Sequence, residues 1–341
     1  VPIMITVGDP GGRSAPPSWR RGSNLRVMPN CHIEYRIEGK IIPMELIIHI
    51  GLPKTGSTFL QSIFHHNRDS FREGGLYYCS QPHDVAAHPS AFSALAGQVG
   101  ESALLVAEAV QSGCPRALLS SENFGTLIFR PGLFLKLLQA LRSTGAGKIR
   151  IVIFIRRQDE MFWSLHDTIS RSIFVDPFSM FYETMRCGYF AINETHRQTY
   201  APYYCFCFDH NTQIGNFAGQ MLGSMPDTTI EIHDFDTPAA FPGESFLKQL
   251  GVLERIHAYP GENLQNRRRP DAEVVASHAD AFIRVIGPTP GCEMREIVEA
   301  RLAVSAQVRA AISSALFQRY HPGNAILLRR FPPPPLGRSP G

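Results

Sequence analysis

The chain has 341 residues, 44% of them apolar and 18% charged, with a formal net charge of +3. This is the composition of a globular protein with one sizeable core, and the charge is too small to imply a nucleic-acid partner, so any anion site must be local. No apolar run approaches the roughly 20 residues of a membrane helix, and no signal-peptide core is read at the N-terminus.

Residues 1–43 carry Gly, Pro, Ser and Arg without a sustained period, as in Asp9-Pro-Gly-Gly-Arg13 and Ala15-Pro-Pro-Ser-Trp-Arg-Arg-Gly-Ser23. They read either as a flexible basic arm or as a spurious extension with Met44 the working initiator. The second reading is favoured because Met44 stands just before the first strand. That strand is the apolar run Leu46–Ile50, of the kind a buried parallel strand needs. The chain breaks at Gly51 and Pro53 and resumes as a helix from Ser57.

A short strand is expected at Leu76–Cys79, then a loop with His83 and His88, a helix over Ala91–Gln111 and a strand over Ala117–Ser120 running into Glu122. Phe134–Leu141 is an amphipathic helix ending before Gly145, and Lys148–Ile155 is the clearest strand. Ser172–Phe208 is dense in Phe and Tyr, either a lid or substrate wall or an aromatic core. A strand at Thr229–Ile232, a helix starting at Phe246 and helices over Asp271–Ile286 and Cys292–Phe317 follow. Residues 332–341 read as a Pro-rich tail. Strands alternating with helices predict an α/β fold, an open and mainly parallel sheet with helices on both faces. The seven cysteines are irregularly spaced, and Cys205-Phe-Cys207 has no second ligand pair, so zinc is not expected, the thiols read as mostly reduced and the compartment as cytoplasmic.

The first strand, its loop and the helix behind it make an anion site, because the first helical N–H groups lack partners and the helix dipole favours negative charge there. Lys54 adds a full charge. In a Walker A loop the lysine directly follows the second glycine. Here Gly51 and Gly56 have the spacing, but Ser57 follows Gly56 and the lysine comes earlier. Pro53-Lys54-Thr55-Gly56-Ser57-Thr58 resembles instead the 5′-phosphosulfate loop of sulfotransferases that use 3′-phosphoadenosine 5′-phosphosulfate (PAPS). A second match lies at the end of the Lys148–Ile155 strand, where Arg156 is followed eight residues later by Ser164. In that family an arginine and a serine at this spacing hold the 3′-phosphate, as a planar guanidinium and a hydroxyl can. Arg157-Gln158 stands where the family often has Asn-Pro.

The resemblance covers residues 44–331 and implies a P-loop NTPase-like sulfotransferase fold, with PAPS as co-substrate and no metal. It implies that the backbone of Lys54, Thr55, Gly56, Ser57 and Thr58 holds the 5′-phosphosulfate, and that Lys54 stabilises charge on the bridging oxygen. Glu122, at the C-terminal end of a core strand, is the first choice for the base that activates an acceptor hydroxyl, carried by a carbohydrate or glycolipid. His83 and His88 stand in reserve. Arg267, Arg268 and Arg269 are the counterpart offered for the family's glycine-rich C-terminal motif. Plainer readings stay open: Arg156 as an ion-pair residue, Glu122 as a capping carboxylate and the arginines as a solvated turn. So do two other functions, a P-loop kinase or NTPase with a displaced lysine and a non-catalytic nucleotide-binding relative.

Overall fold

A computed structural model of the chain describes residues 44–79, 97–193, 203–259 and 269–335, with the backbone of four two-residue strands between Ile5 and Ile41. Five parallel strands form the central sheet: β1 (Met44–Ile50), β2 (Leu76–Tyr78), β3 (Arg116–Ser121), β4 (Ala146–Ile155) and, later in the chain, β7 (Thr228–Asp234). They lie in the order β7-β4-β1-β3-β2. The expected open α/β fold is therefore present.

Strand β1 is central because both its faces are buried. Leu46, Ile48 and Ile50 point to one face and Ile47 to the other, all with no exposed surface. The first face packs on α3 (Gly100–Gln111), α5 (Pro131–Ser143) and α8 (His210–Ser224), through Val106, Phe134 and Phe217. The second packs on α1 (Ser57–His66), α2 (Arg68–Glu73) and α9 (Glu244–Gln249), through Leu60, Phe71 and Phe246. Each fully buried side chain of this size contributes about 1.5–3 kcal/mol, which explains why the strands read as unbroken apolar runs.

The remaining elements before β7 are α4 (Phe124–Leu127), which joins the first face, then α6 (Gln158–Ile169), α7 (Pro177–Cys187) and an antiparallel hairpin of β5 (Tyr189–Asn193) and β6 (Tyr203–Cys207). The chain continues through α10 (Asp271–Ile286), α11 (Pro288–Leu302) and α12 (Ala306–Arg330). The aromatic stretch is mostly core: Phe190, Phe206 and Phe208 pack with Met161, Phe162 and Trp163 of α6 and Leu316 of α12, while Phe178 and Tyr182 on α7 stay exposed. Of the helix expected over Ala91–Gln111, residues 91–96 lie outside the described residues and the helix begins at Gly100. The helix expected over Cys292–Phe317 is two helices. It breaks before Ser305, whose side chain caps Val308 N–H, and α12 then runs through Pro322 to Arg330. Past α12 the Phe331 carbonyl accepts the Ile232 N–H at 2.8 Å, covering part of the β7 edge.

This strand order decides where a ligand can bind. The chain leaves β1 toward β3 and β2, and leaves β4 the other way, toward β7. Neighbouring strands whose connections diverge open a crevice at their C-terminal ends, where open α/β sheets bind ligands. The loop after β1 and Arg156 after β4 flank it.

Candidate anion site at the switch point

The loop from Gly51 to Gly56 is held from inside. Leu52 O accepts Thr55 N–H at 3.4 Å, Thr55 Oγ1 at 2.6 Å and Ser57 Oγ at 3.4 Å. Thr55 and Ser57 are buried and lie 3.2 Å apart through their hydroxyls. These two side chains therefore build the loop, and what they can offer an anion is backbone. Lys54 and Gly56 both adopt the left-handed conformation, with φ of 67° and 72°. Gly56 precedes α1 without a side-chain cap, so the N–H groups of Ser57, Thr58 and Phe59 have no intrahelical acceptor. A side chain at Gly56 would also strike Phe235, its Cβ falling 2.7 Å from that ring.

Arg156 leaves β4 toward this loop and donates from Nη1 to Lys54 O at 3.1 Å. Its guanidinium lies 5.0 Å from the centre of the Phe235 ring and near Glu160 and Asp236, at 3.8 and 3.7 Å. Its Nε is buried without a hydrogen-bond partner. The ion-pair reading of Arg156 thus has a basis, since Nε is the atom 3.7 Å from Asp236, while the guanidinium as a whole stands at the switch point. Ser164 is half-buried, two turns into α6, and its carbonyl accepts Thr168 Oγ1 at 3.0 Å.

Glu122 follows β3, level with Gly51, whose N–H donates to Ser121 O at 3.1 Å. Its Oε1 accepts Thr58 Oγ1 at 2.6 Å, and the Thr58 backbone N–H also favours its charge. It thus caps α1 from a neighbouring strand. Burial raises the Glu122 pKa, against the opposing pull of Thr58 and of the Lys54 charge. Burial lowers the Lys54 pKa; Glu122 and Asp167 act to raise it, Arg171 and Arg156 to lower it further. Lys54, Thr58, Glu122 and Arg156 are accordingly one electrostatic group. Asp167, Arg171, Phe235 and Asp236 belong to it as well, and local sequence gave no signal for them because they arrive from α6, the turn behind it and the end of β7.

Arg269 is no solvated turn residue. Its Nε donates to Asp167 Oδ1 at 2.7 Å, Nη1 to Ser277 Oγ at 2.7 Å and Nη2 to Asp167 O at 2.8 Å, tying α10 to the end of α6. Arg267, Arg268, His83 and His88 lie outside the described residues. A shallow depression of about 500 Å³ lined by Arg72, Gly75, Cys114 and Pro115 lies at the N-terminal edge of the sheet, away from this group.

The first-turn N–H groups of α1, the Lys54 ammonium and the Arg156 guanidinium together make a cationic donor set at the switch point that can hold an anion. Compared with models of protein families, with curated proteins and with solved structures, the chain matches none. Among the described residues no helix is long and apolar enough to cross a membrane.

Proposed function

We propose that the chain is a PAPS-dependent sulfotransferase that moves a sulfuryl group to an acceptor hydroxyl, on a carbohydrate or glycolipid. The observation that carries the reading is the hydrogen bond from the Arg156 guanidinium to the backbone carbonyl of Lys54, which brings the cationic end of β4 against the loop after the adjoining strand β1, across the switch point. A nucleotide phosphorylated at both the 3′ and 5′ positions suits two such points; a single phosphate chain needs only the loop.

In this reading PAPS supplies the activated sulfuryl group. The first-turn N–H groups of α1 and the backbone of Lys54–Thr58 bind the 5′ end, and Arg156, with Ser164 behind it on α6, binds the 3′-phosphate. Lys54 neutralises charge on the leaving phosphate, as a fixed donor does in an oxyanion hole. Glu122 takes the proton of the acceptor hydroxyl, and its partial burial moves it toward the range a general base needs.

Transfer of labelled sulfate from PAPS across a panel of hydroxyl acceptors tests the activity, and calorimetry tests the nucleotide. Adenosine 3′,5′-bisphosphate is expected to bind without metal and much more tightly than ATP or AMP. A preference for ATP with Mg²⁺ assigns the chain to kinases or NTPases instead. Lys54→Ala is expected to lower turnover about a hundredfold, the value of one such donor at roughly 3 kcal/mol. Tight bisphosphate binding with no transfer to any acceptor favours a non-catalytic relative.

A further inference from the structure

Glu122 sits where an incoming anion has to go. Its carboxylate holds the Thr58 hydroxyl at 2.6 Å and lies within electrostatic reach of Lys54, two of the groups assigned above to the donor nucleotide. Gly51 packs against it, a Cβ there falling 3.1 Å from Glu122 Cγ. The groups that face it are Thr58 from α1 and Lys54 from the loop; Asp167, Arg156 and Arg171 act on Lys54 from the next shell outward. Without a nucleotide, Glu122 is thus the loop's own anion.

We infer that Glu122 is displaced from Thr58 when a nucleotide anion enters the loop, and that this displacement turns it from a cap into a base. The inference rests on the reading of the Lys54 loop as a nucleotide anion site. Before entry, Thr58 and Lys54 stabilise the charged carboxylate. After entry those donors turn to the ligand, and Glu122 stands beside a second anion while remaining buried. Both changes favour its protonated form, so a proton passes from solvent to a Glu122 carboxyl oxygen. Nucleotide affinity then rises as pH falls. Transfer runs the other way, because only the deprotonated fraction of the bound state can accept a proton from the acceptor hydroxyl. The nucleotide itself raises the base toward neutrality, where general-base catalysis is most effective.

The test uses the full chain and adenosine 3′,5′-bisphosphate. Calorimetry at pH 6, inside the window where affinity is expected to change with pH, in two buffers of different ionisation enthalpy counts the protons taken up on binding. The wild type is expected to take up more than Glu122→Gln, a difference that removes any contribution from Lys54. Glu122→Gln should bind about tenfold more tightly at pH 8, the effect expected of removing a like charge beside the ligand, with the gap closing toward pH 5. Its turnover should nonetheless fall, a split between binding and rate that a merely structural carboxylate does not give. Should the variant fail to fold, infrared difference spectra of the wild type decide the question: adding the nucleotide should bring up a protonated-carboxyl band. Equal affinities with equal proton uptake, or no such band in the wild type, overturn the inference while leaving the nucleotide site standing. Failure of the nucleotide to bind at all overturns both.

Discussion

Arg156 donates to the backbone carbonyl of Lys54 at 3.1 Å, so the end of β4 fixes the loop that follows β1. A charged donor on a carbonyl contributes about 1.5–3 kcal/mol. Arg156→Ala therefore acts twice, loosening the loop and removing the proposed 3′-phosphate partner. Adenosine 3′,5′-bisphosphate should weaken at least tenfold, and AMP by a smaller factor that reports the loop alone. Titration calorimetry with both nucleotides separates the two parts. Equal losses would confine Arg156 to the structural role.

Lys54 is a non-glycine residue at φ 67°, with its ammonium drawn into a mostly buried position. A left-handed backbone costs an L-residue about 1–2 kcal/mol, and strain of this kind gathers at functional sites. The usual order of glycine and alanine should accordingly reverse here. Lys54→Gly is expected to be more stable than Lys54→Ala by about 1 kcal/mol, although both lose activity. Urea unfolding of the two variants measures the difference; an alanine variant as stable as the glycine one would remove the strain argument.

What the sequence could disclose followed burial. Strands β1 and β4 were legible because both faces are covered, leaving runs of apolar residues without alternation. Helix α10 was legible to the residue because Pro270 precedes it and Gly287 follows. Helix α8 escaped notice because Gly215, Gly219 and Gly223 dilute the stripe formed by Ile214, Phe217 and Met221. The helix expected to end at Phe317 continues through Pro322, a residue that ordinarily breaks helices, since Leu316, Tyr320, Asn324 and Leu327 are buried on either side of it. In the site, motif spacing pointed to Lys54 and Arg156, and the C-terminal end of a core strand pointed to Glu122, and the fold brings the three into one electrostatic group. Spacing could not show that the Thr55 and Ser57 hydroxyls face Leu52 O, because that depends on the path of the loop.

Gly51 has no room for a side chain. A Cβ would lie 2.6 Å from Ser57 Oγ and 3.1 Å from Glu122 Cγ, between the loop and the carboxylate that caps it. Gly51→Ala must push these apart, and overpacking of this kind costs about 1–3 kcal/mol. The expected result is a lowered melting temperature together with a loss of nucleotide affinity, read by calorimetry. Gly219→Ala, in α8 with open space around it, serves as the control and should be neutral or stabilising by several tenths of a kcal/mol. A Gly51→Ala variant as stable as the parent would show that Ser57 and Glu122 can yield without cost.

The pH dependence of stability should be set by four histidines held neutral in the fold. Burial lowers the pKa of His49 to about 3, with help from His233, and that of His278 to about 3, with help from His166. His166 and His210 fall to about 4, again mainly through burial. In the unfolded chain each titrates near 6.5. Below about pH 6.5 the unfolded state therefore binds protons that the folded state refuses, and stability falls with pH until about pH 4 to 3, where the folded histidines titrate as well. Each group costs about 1.4 kcal/mol per pH unit in that window, roughly 2 kcal/mol at pH 5. Set against a total of about 5–15 kcal/mol, four such groups should bring acid unfolding to around pH 5. The contact most exposed to this effect is the His166–His278 pair, with ring centres 4.1 Å apart, since protonating either places a charge against the other. His278→Asn should thus start less stable at pH 7.5 and lose stability more slowly on acidification, its slope shallower by about 1.4 kcal/mol per pH unit between pH 6 and 5. Chemical denaturation at half-unit steps from pH 7.5 to 4.5 gives both slopes. A flat profile for the wild type over that range would mean that water reaches these imidazoles and that they titrate as exposed groups.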